Sequence, residues 1–126
     1  MRLSPARAAT TAVMGLRIAY GLGLITAPTR LARRWLGPAA ATAPTRVPLQ
    51  GLGTREIVLH SGVVLTALGD GDLRPWLVGS IAGDLTDVIA TVVQRRELPP
   101  GAAMATVAVG GGSALLTALL FAAVDR

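Results

Sequence analysis

Four long apolar segments dominate the pattern of hydrophobic and polar positions along the chain. They run over residues 9–27, 49–68, 76–93 and 101–124. The last of them has 24 residues and no charged side chain, and about 20 apolar residues suffice to cross a bilayer. The other three carry charges, but short connections separate all four. The pattern predicts an all-α fold, a four-helix transmembrane bundle that forms a single integral membrane domain over residues 1–126.

The first connection predicts an interfacial segment. Residues 29–37 combine arginines with Leu31 and Trp35, which is typical of a short amphipathic helix at a membrane surface. Residues 38–48 are rich in Pro, Ala and Thr and predict an irregular linker.

The remaining connections are short. A tight turn is expected over residues 69–75, and Pro99 with Pro100 is expected to stop the third helix. Arg17 interrupts the first segment, which argues against a cleaved secretory signal and for a retained helix.

Composition supports membrane insertion. Hydrophobic residues make up 52% of the chain, charged residues 15% and aromatic residues 3%, and the mean hydropathy is +0.56. Small aliphatic side chains of this kind suit helices packed in lipid. The net charge is +5, but no basic stripe with interleaved aromatics is present, so no nucleic-acid partner is predicted. The absence of Cys excludes disulfides, thiolate catalysis and thiolate metal sites.

The arginines predict an orientation. The connections after the first and third segments carry six of them, and the opposite side carries four, namely Arg2, Arg7, Arg74 and Arg126. The positive-inside rule then places both termini outside and the Arg-rich loops in the cytoplasm. All 12 basic residues are Arg, which indicates a GC-rich bacterial genome. The sequence therefore predicts a multi-pass protein of the bacterial cytoplasmic (inner) membrane, surrounded by membrane lipids.

Small residues recur every four positions in two segments and predict close helix packing. In the first segment they are Gly15, Ala19, Gly23 and Ala27; in the fourth they are Ala102, Thr106, Gly110, Ala114, Ala118 and Ala122. The same faces would also serve a homodimer or a membrane-protein partner, and the sequence leaves these alternatives open.

Six ionisable residues fall within the apolar segments: Arg17, Arg55, Glu56, His60, Asp84 and Asp87. Each costs about 2.5–3.5 kcal/mol at mid-bilayer on insertion scales. We therefore expect them to face the bundle interior or water and to pair. Glu56 and His60 lie four apart and share a helix face, and Asp84 and Asp87 lie on one polar stripe with Ser80. We expect these two groups to form the halves of one network, to which Arg17 adds a cation.

The charges of this network do not cancel. Two arginines and three carboxylates sum to −1 when His60 is neutral, and because burial disfavours net charge, one bound proton is expected. The network has two interpretations: pairs that fix helix register, or a functional site, either a small-molecule pocket or a proton relay. A third possibility is that some of these charges lie in water at the span ends. No catalytic constellation or cofactor motif is present, and one His without Cys argues against zinc.

Three stretches, which include "RIAYGLGLITAPTRLARRWLG" and "GLGTREIVLHSGVVLTALG", resemble a family of small actinobacterial-type membrane proteins known only as a domain of unknown function. The shared motifs are an Arg in the first helix, a Gly-x-Arg-acid motif in the second and an acid pair in the third, here Arg17, then Gly53, Arg55 and Glu56, then Asp84 and Asp87. The resemblance implies the four-helix architecture and no activity. In that family an Asp is commoner at the position of Glu56 and a Gly at that of His60, so His60 is peculiar to this chain. A more distant likeness to DoxX-type membrane proteins is a fold analogy only.

We interpret the chain as a non-enzymatic membrane protein whose buried polar site binds a lipophilic small molecule or lipid. A proton-coupled small multidrug-type transporter, with Asp84 or Asp87 as the working acid, is the first alternative. An accessory subunit of a membrane complex is the second, and a membrane-bound redox protein the third. A soluble helical bundle is the architectural rival.

Overall fold

The computed structural model describes residues 2–124, which form five α-helices and no strand. The helices are α1 (Pro5–Thr26), α2 (Pro28–Leu36), α3 (Ala43–Leu68), α4 (Arg74–Val93) and α5 (Ala102–Ala123), with 3₁₀ turns over Gly37–Ala41 and Arg95–Glu97. The predicted all-α class is confirmed. Arg126, which enters the charge count above, lies outside the described residues.

Three of the helices, α1, α4 and α5, are long and apolar enough to cross a membrane. α3 has 26 residues, but Arg55, Glu56 and His60 interrupt its apolar character, and it is not among those three. The structure therefore supports a membrane protein with three candidate spans, and the fourth span stays a prediction.

The linker prediction is wrong. Residues 38–48 are not irregular: a 3₁₀ turn covers Gly37–Ala41, and α3 already begins at Ala43. Pro44 fits because the first turn of a helix needs no backbone donor. Pro48 lies one turn further in, where it removes one hydrogen bond of the helix and crowds the preceding turn.

The helix of the third apolar segment, α4, ends before the proline pair is reached. α4 stops at Val93, a 3₁₀ turn follows, and only Leu98 takes the extended backbone expected before Pro99. Gly101, the residue that precedes α5, adopts a φ of 81°, a left-handed conformation that suits glycine.

The long helices form two antiparallel pairs. α1 packs mainly on α3 and α4 mainly on α5, whereas few contacts join one pair to the other. α1 and α3 approach most closely at Gly21 and Gly53, where a Cβ added to Gly21 would lie 2.7 Å from the Gly53 carbonyl oxygen. On the other pair, a Cβ on Gly110 would lie 3.1 Å from Val88. Glycines therefore set the spacing within both pairs.

The predicted small-residue stripe of α1 does not make this contact. A Cβ added to Gly15 would have no neighbour within 4 Å, and both Gly15 and Ala19 are exposed. The buried face instead contains Met14, Gly21 and Leu24. The reason is that Arg17 needs partners, which turns its own side of α1 toward the bundle. On α5 the stripe is buried at Ala102 and Ala114 but exposed at Ala118 and Ala122.

Arg7 stabilises the C-terminal end of α3 and the turn that follows it. Its Nη1 donates to the carbonyl oxygens of Thr66 at 3.2 Å and Gly69 at 3.1 Å, and its Nη2 donates to that of Gly71 at 3.0 Å. The last carbonyls of a helix lack internal partners and carry a partial negative charge, so a cation there is stabilising.

Two apolar clusters fill the interior at opposite ends of the bundle. One contains Met14, Val63, Leu77 and Leu120, among others. The second contains Leu24, Ala32, Ala40 and Leu49. The outer surface is also apolar, with Leu16, Leu65 and Met104 each more than 70% exposed, as expected for helices that contact lipid.

We predict that Gly21→Ala destabilises the fold and that Gly15→Ala does not. The new Cβ on Gly21 has to move the Gly53 backbone and Glu56, and such overpacking costs about 1–3 kcal/mol. The exposed Gly15 accepts a methyl group, and helix propensity favours Ala there by about 0.5–1 kcal/mol. Thermal unfolding of the purified protein in detergent measures both, and equal melting temperatures for the two variants would contradict the packing described.

Candidate functional site

Five polar side chains meet between the two apolar clusters, and we call this set the polar layer. It consists of Arg17 from α1, Glu56 and His60 from α3, and Ser80 and Asp84 from α4. Glu56, His60, Ser80 and Asp84 are each at most 4% exposed. The layer lies where the two helix pairs meet, and it supplies polar contacts where backbone packing is sparse.

The guanidinium of Arg17 is the centre of the layer. It donates to both oxygens of Glu56, from Nε at 2.9 Å and from Nη2 at 3.1 Å. It also donates to both oxygens of Asp84, from Nη1 at 2.8 Å and from Nη2 at 2.5 Å. A fifth bond runs from Nη1 to Ser80 Oγ at 3.0 Å. An Arg side chain has five N–H donors, so every donor of Arg17 is used.

His60 and Ser80 extend the layer from α3 to α4. The ring Nδ1 lies 2.7 Å from the Glu56 carbonyl oxygen and Nε2 lies 2.9 Å from Ser80 Oγ. Because a carbonyl oxygen only accepts, Nδ1 carries a hydrogen, and the neutral ring then accepts at Nε2 from the Ser80 hydroxyl. Ser80 thus donates to His60 and accepts from Arg17, so its hydroxyl links the two residues.

The polar layer carries a formal charge of −1 when His60 is neutral, from one guanidinium and two carboxylates. Bidentate guanidinium–carboxylate pairs are the strongest hydrogen-bonded ion pairs in proteins, and Arg17 makes two of them. The bound proton expected from the charge sum stays a prediction. Arg17 lines neither of the two clefts described below, and its side chain is 14% exposed while those of Glu56 and Asp84 are at most 5% exposed, so the layer is largely closed to solvent.

Arg55 and Asp87 form a second, outer pair at the edge of the layer. Arg55 Nη2 donates to Asp87 Oδ2 at 2.8 Å, and the two side chains are 38% and 40% exposed. Arg55 Nη2 lies 3.8 Å from Glu56 Oε1, which connects the outer pair to the layer. Within the described residues, the buried Nε of Arg55 has no hydrogen-bond partner.

A cleft opens beside this outer pair, with a volume of about 760 Å³. Its walls are largely apolar and include Leu36, Pro48, Leu49, Leu52, Leu98 and Pro99, and its polar side chains are those of Thr45, Arg55, Asp87, Gln94 and Glu97. Ligand sites are typically cavities of about 300–1,000 Å³ with apolar walls and few polar groups. We call this the Arg55 cleft.

The six ionisable residues singled out in the sequence thus belong to one connected set, but their roles differ. Arg17, Glu56, His60 and Asp84 are in the closed layer, whereas Arg55 and Asp87 are half-exposed. Sequence reasoning treated Arg17 as an added cation, although it is the residue that joins all three helices. Ser80 is the fifth member of the polar layer. The sequence analysis placed it only on the polar stripe of the third segment, and its spacing of four residues from Asp84 indicates that the two side chains share a helix face. Within residues 2–124, no three His, Asp or Glu side chains are arranged to hold a metal ion.

Comparisons with known proteins add nothing to this geometry, because no family model, no curated protein and no solved structure matches the chain. The resemblance drawn from the motifs therefore stays a prediction.

We predict that Arg17→Met destabilises the protein far more than Arg55→Met. The first change leaves two buried carboxylates without their cation, and breaking a buried pair costs about 3–5 kcal/mol. The second breaks a half-exposed pair, worth about 0–1 kcal/mol. Chemical unfolding in detergent, followed by helical circular dichroism, compares the two.

The triple variant Arg17→Met, Glu56→Gln, Asp84→Asn serves as the control. It removes the uncompensated charges, so it should recover part of the stability lost in Arg17→Met. Equal losses for Arg17→Met and Arg55→Met, with no recovery in the triple variant, would contradict a central role for Arg17.

Proposed function

We propose that the protein is a multi-pass protein of the bacterial cytoplasmic membrane in which α1, α3, α4 and α5 cross the bilayer. The position of the polar residues of α3 supports the fourth span. Glu56 and His60 are buried in the polar layer, while Val58 and Leu65 on the outer side are 64% and 72% exposed. The polar side chains of α3 lower its mean hydropathy although they point into the bundle, and lipid would contact only its apolar outer face.

We further propose that the protein binds a lipophilic molecule, a lipid or small amphiphile, in the Arg55 cleft. The observation that carries this proposal is the pairing of apolar walls with the half-exposed guanidinium of Arg55. Such a site suits a molecule with an apolar body and one hydrogen-bond-accepting head. The polar layer would hold Arg55 in a fixed position, because Arg55 Nη2 lies 3.8 Å from Glu56 Oε1.

The same geometry bears on the transporter alternative. A transported proton or cation needs an acid that water reaches, and Asp84 is 4% exposed while its carboxylate is held by Arg17. The half-exposed Asp87 is therefore the favoured acid for such a mechanism. Assembly with a second copy or a membrane partner would use small-residue faces that remain exposed, at Gly15 and Ala19 and at Ala118 and Ala122.

Four spans predict a specific labelling pattern for single cysteines. The chain has no native Cys, so Thr42→Cys, Asp70→Cys and Glu97→Cys each give one reactive site. With four spans, positions 42 and 97 lie on one side and position 70 on the other. With both termini outside, as the arginines predict, a membrane-impermeant maleimide applied to intact cells should label Asp70→Cys, and label the other two only after lysis. Without insertion of α3, positions 42 and 70 would share a side, which would contradict the four-span proposal.

We predict that Gly51→Phe weakens binding in the Arg55 cleft. Gly51 lines the cleft and has no atom within 4 Å of an added Cβ, so a phenyl ring enters the open space without a clash. The probe is oleyl alcohol, which has an apolar chain and a hydroxyl head that accepts a hydrogen bond without adding a negative charge beside Asp87 and Glu97. Its affinity for the detergent-purified protein, measured by native mass spectrometry, should fall at least about tenfold, a loss of about 1.4 kcal/mol.

Gly112→Phe is the matched control, because Gly112 is an exposed helical glycine with equally open surroundings that does not line the cleft. It should bind oleyl alcohol as the wild type does. Arg55→Met should weaken the binding of oleyl alcohol, because Met offers no hydrogen-bond donor to the hydroxyl head. Wild-type affinity in Gly51→Phe, or no oleyl alcohol bound by the wild type, would count against the proposal.

A further inference from the structure

A second cleft, of about 700 Å³, lies at the same end of the bundle, between the end of α1 and the first two turns of α3. The residues that line it include Ile25, Thr26, Thr29, Arg30, Arg46, Val47 and Gln50. We call it the Arg30–Arg46 cleft. It shares no lining residue with the Arg55 cleft.

The polar groups of this cleft offer donors to a ligand. Both threonine hydroxyls already donate to backbone carbonyls, Thr26 to Leu22 at 2.8 Å and Thr29 to Ala40 at 2.9 Å. Gln50 uses one amide hydrogen on the Ile25 carbonyl at 3.1 Å, which leaves the second hydrogen of that amide.

The two arginines of this cleft have no partner within the part of the chain that the structure describes. Across residues 2–124, neither Arg30 nor Arg46 has a hydrogen-bond or ion-pair partner, and no acidic residue is among those that line the cleft. Two guanidinium groups and one amide N–H therefore face a cleft with a formal charge of +2. By contrast, the Arg55 cleft contains one Arg and two carboxylates. Guanidinium groups match phosphate oxygens in planar, bidentate geometry, so the chemistry of the cleft favours a phosphate.

The depth of the cleft favours a lipid over a soluble anion. It lies where α1 ends and the amphipathic α2 begins, the level at which a membrane interface is expected. Val47 is 68% exposed and points an apolar surface outward beside Arg46. A phospholipid has its phosphate at this level and its acyl chains deeper in the bilayer, which would place them beside Ile25 and Val47.

We propose that the Arg30–Arg46 cleft binds the phosphate of an anionic phospholipid. The two arginines hold the phosphate oxygens, the free amide hydrogen of Gln50 adds a third contact, and the acyl chains lie along the apolar wall of α1 and α3. This site rests on the proposed membrane insertion, but it does not depend on a ligand in the Arg55 cleft.

The test titrates the full-length protein in detergent with phosphatidylglycerol and counts bound lipid by native mass spectrometry. The double variant Arg30→Gln, Arg46→Gln should bind about thirtyfold more weakly, since each Arg near an anionic headgroup contributes about fivefold. The matched control is Arg33→Gln, Arg34→Gln, which removes the same charge from α2 outside the cleft and should keep wild-type affinity. Because all four side chains are exposed, every variant should keep the wild-type melting temperature without lipid.

Each other outcome overturns the proposal. Equal loss of phosphatidylglycerol affinity in the double variant and in its control would mean that binding depends on overall positive charge and not on the cleft. Equal binding of the zwitterionic phosphatidylcholine would mean that the negative headgroup is not recognised. Competition by millimolar glycerol 3-phosphate as strong as by the lipid would assign the site to a soluble phosphate. Gly51→Phe should leave phosphatidylglycerol binding unchanged, so failure of the Arg55 cleft to bind oleyl alcohol and failure of this site are distinguishable.

Discussion

The guanidinium of Arg17 is the interaction on which the rest of the structure depends. Few backbone contacts join the α1–α3 pair to the α4–α5 pair, and Arg17 crosses this gap with hydrogen bonds to Glu56 on one side and to Asp84 and Ser80 on the other. In an apolar environment no solvent competes for these donors, so a pair of carboxylates without their cation would be very costly. The helix pairs are thereby held in one relative position.

Glycines make this contact possible. Gly21 lies one turn beyond Arg17, and Gly53 lies three residues before Glu56, so the close approach of α1 and α3 at the two glycines brings the ion pair within reach. A bulkier residue at either position would push Glu56 away from Arg17. The apolar clusters above and below then exclude water from the layer. Packing and electrostatics are therefore coupled at one level of the bundle.

Ligand binding is expected at the outer cations rather than at the centre of the bundle. All five donors of Arg17 are used, whereas Arg55 has a buried Nε without a partner among the described residues, and Arg30 and Arg46 have no ion pair there. Arg30 and Arg46 lie at the end of the bundle where α3 begins and line one cleft, whereas Arg55 lies at the edge of the polar layer and lines the other cleft, which differs in charge. The proposed ligand sites therefore differ in the head group that they suit, and both would be rigid because the helices that form them are fixed by the polar layer.

The sequence by itself determined the helical class, the apolar surface and the set of six ionisable residues that had to find partners, because helical periodicity and the cost of burying charge are local properties. It did not determine which cation is central, since the spacing within one helix says nothing about the rotation of that helix against its neighbours. That rotation, set by Arg17, exposed the predicted stripe at Gly15 and selected Gly21 instead. The tertiary structure also extended α3 through Pro44 and Pro48, because packing against α1 and α2 outweighs the local preference of proline for a linker. Only the packing of the helices determined that the polar layer around Arg17 is buried, whereas the outer pair of Arg55 and Asp87 is half-exposed.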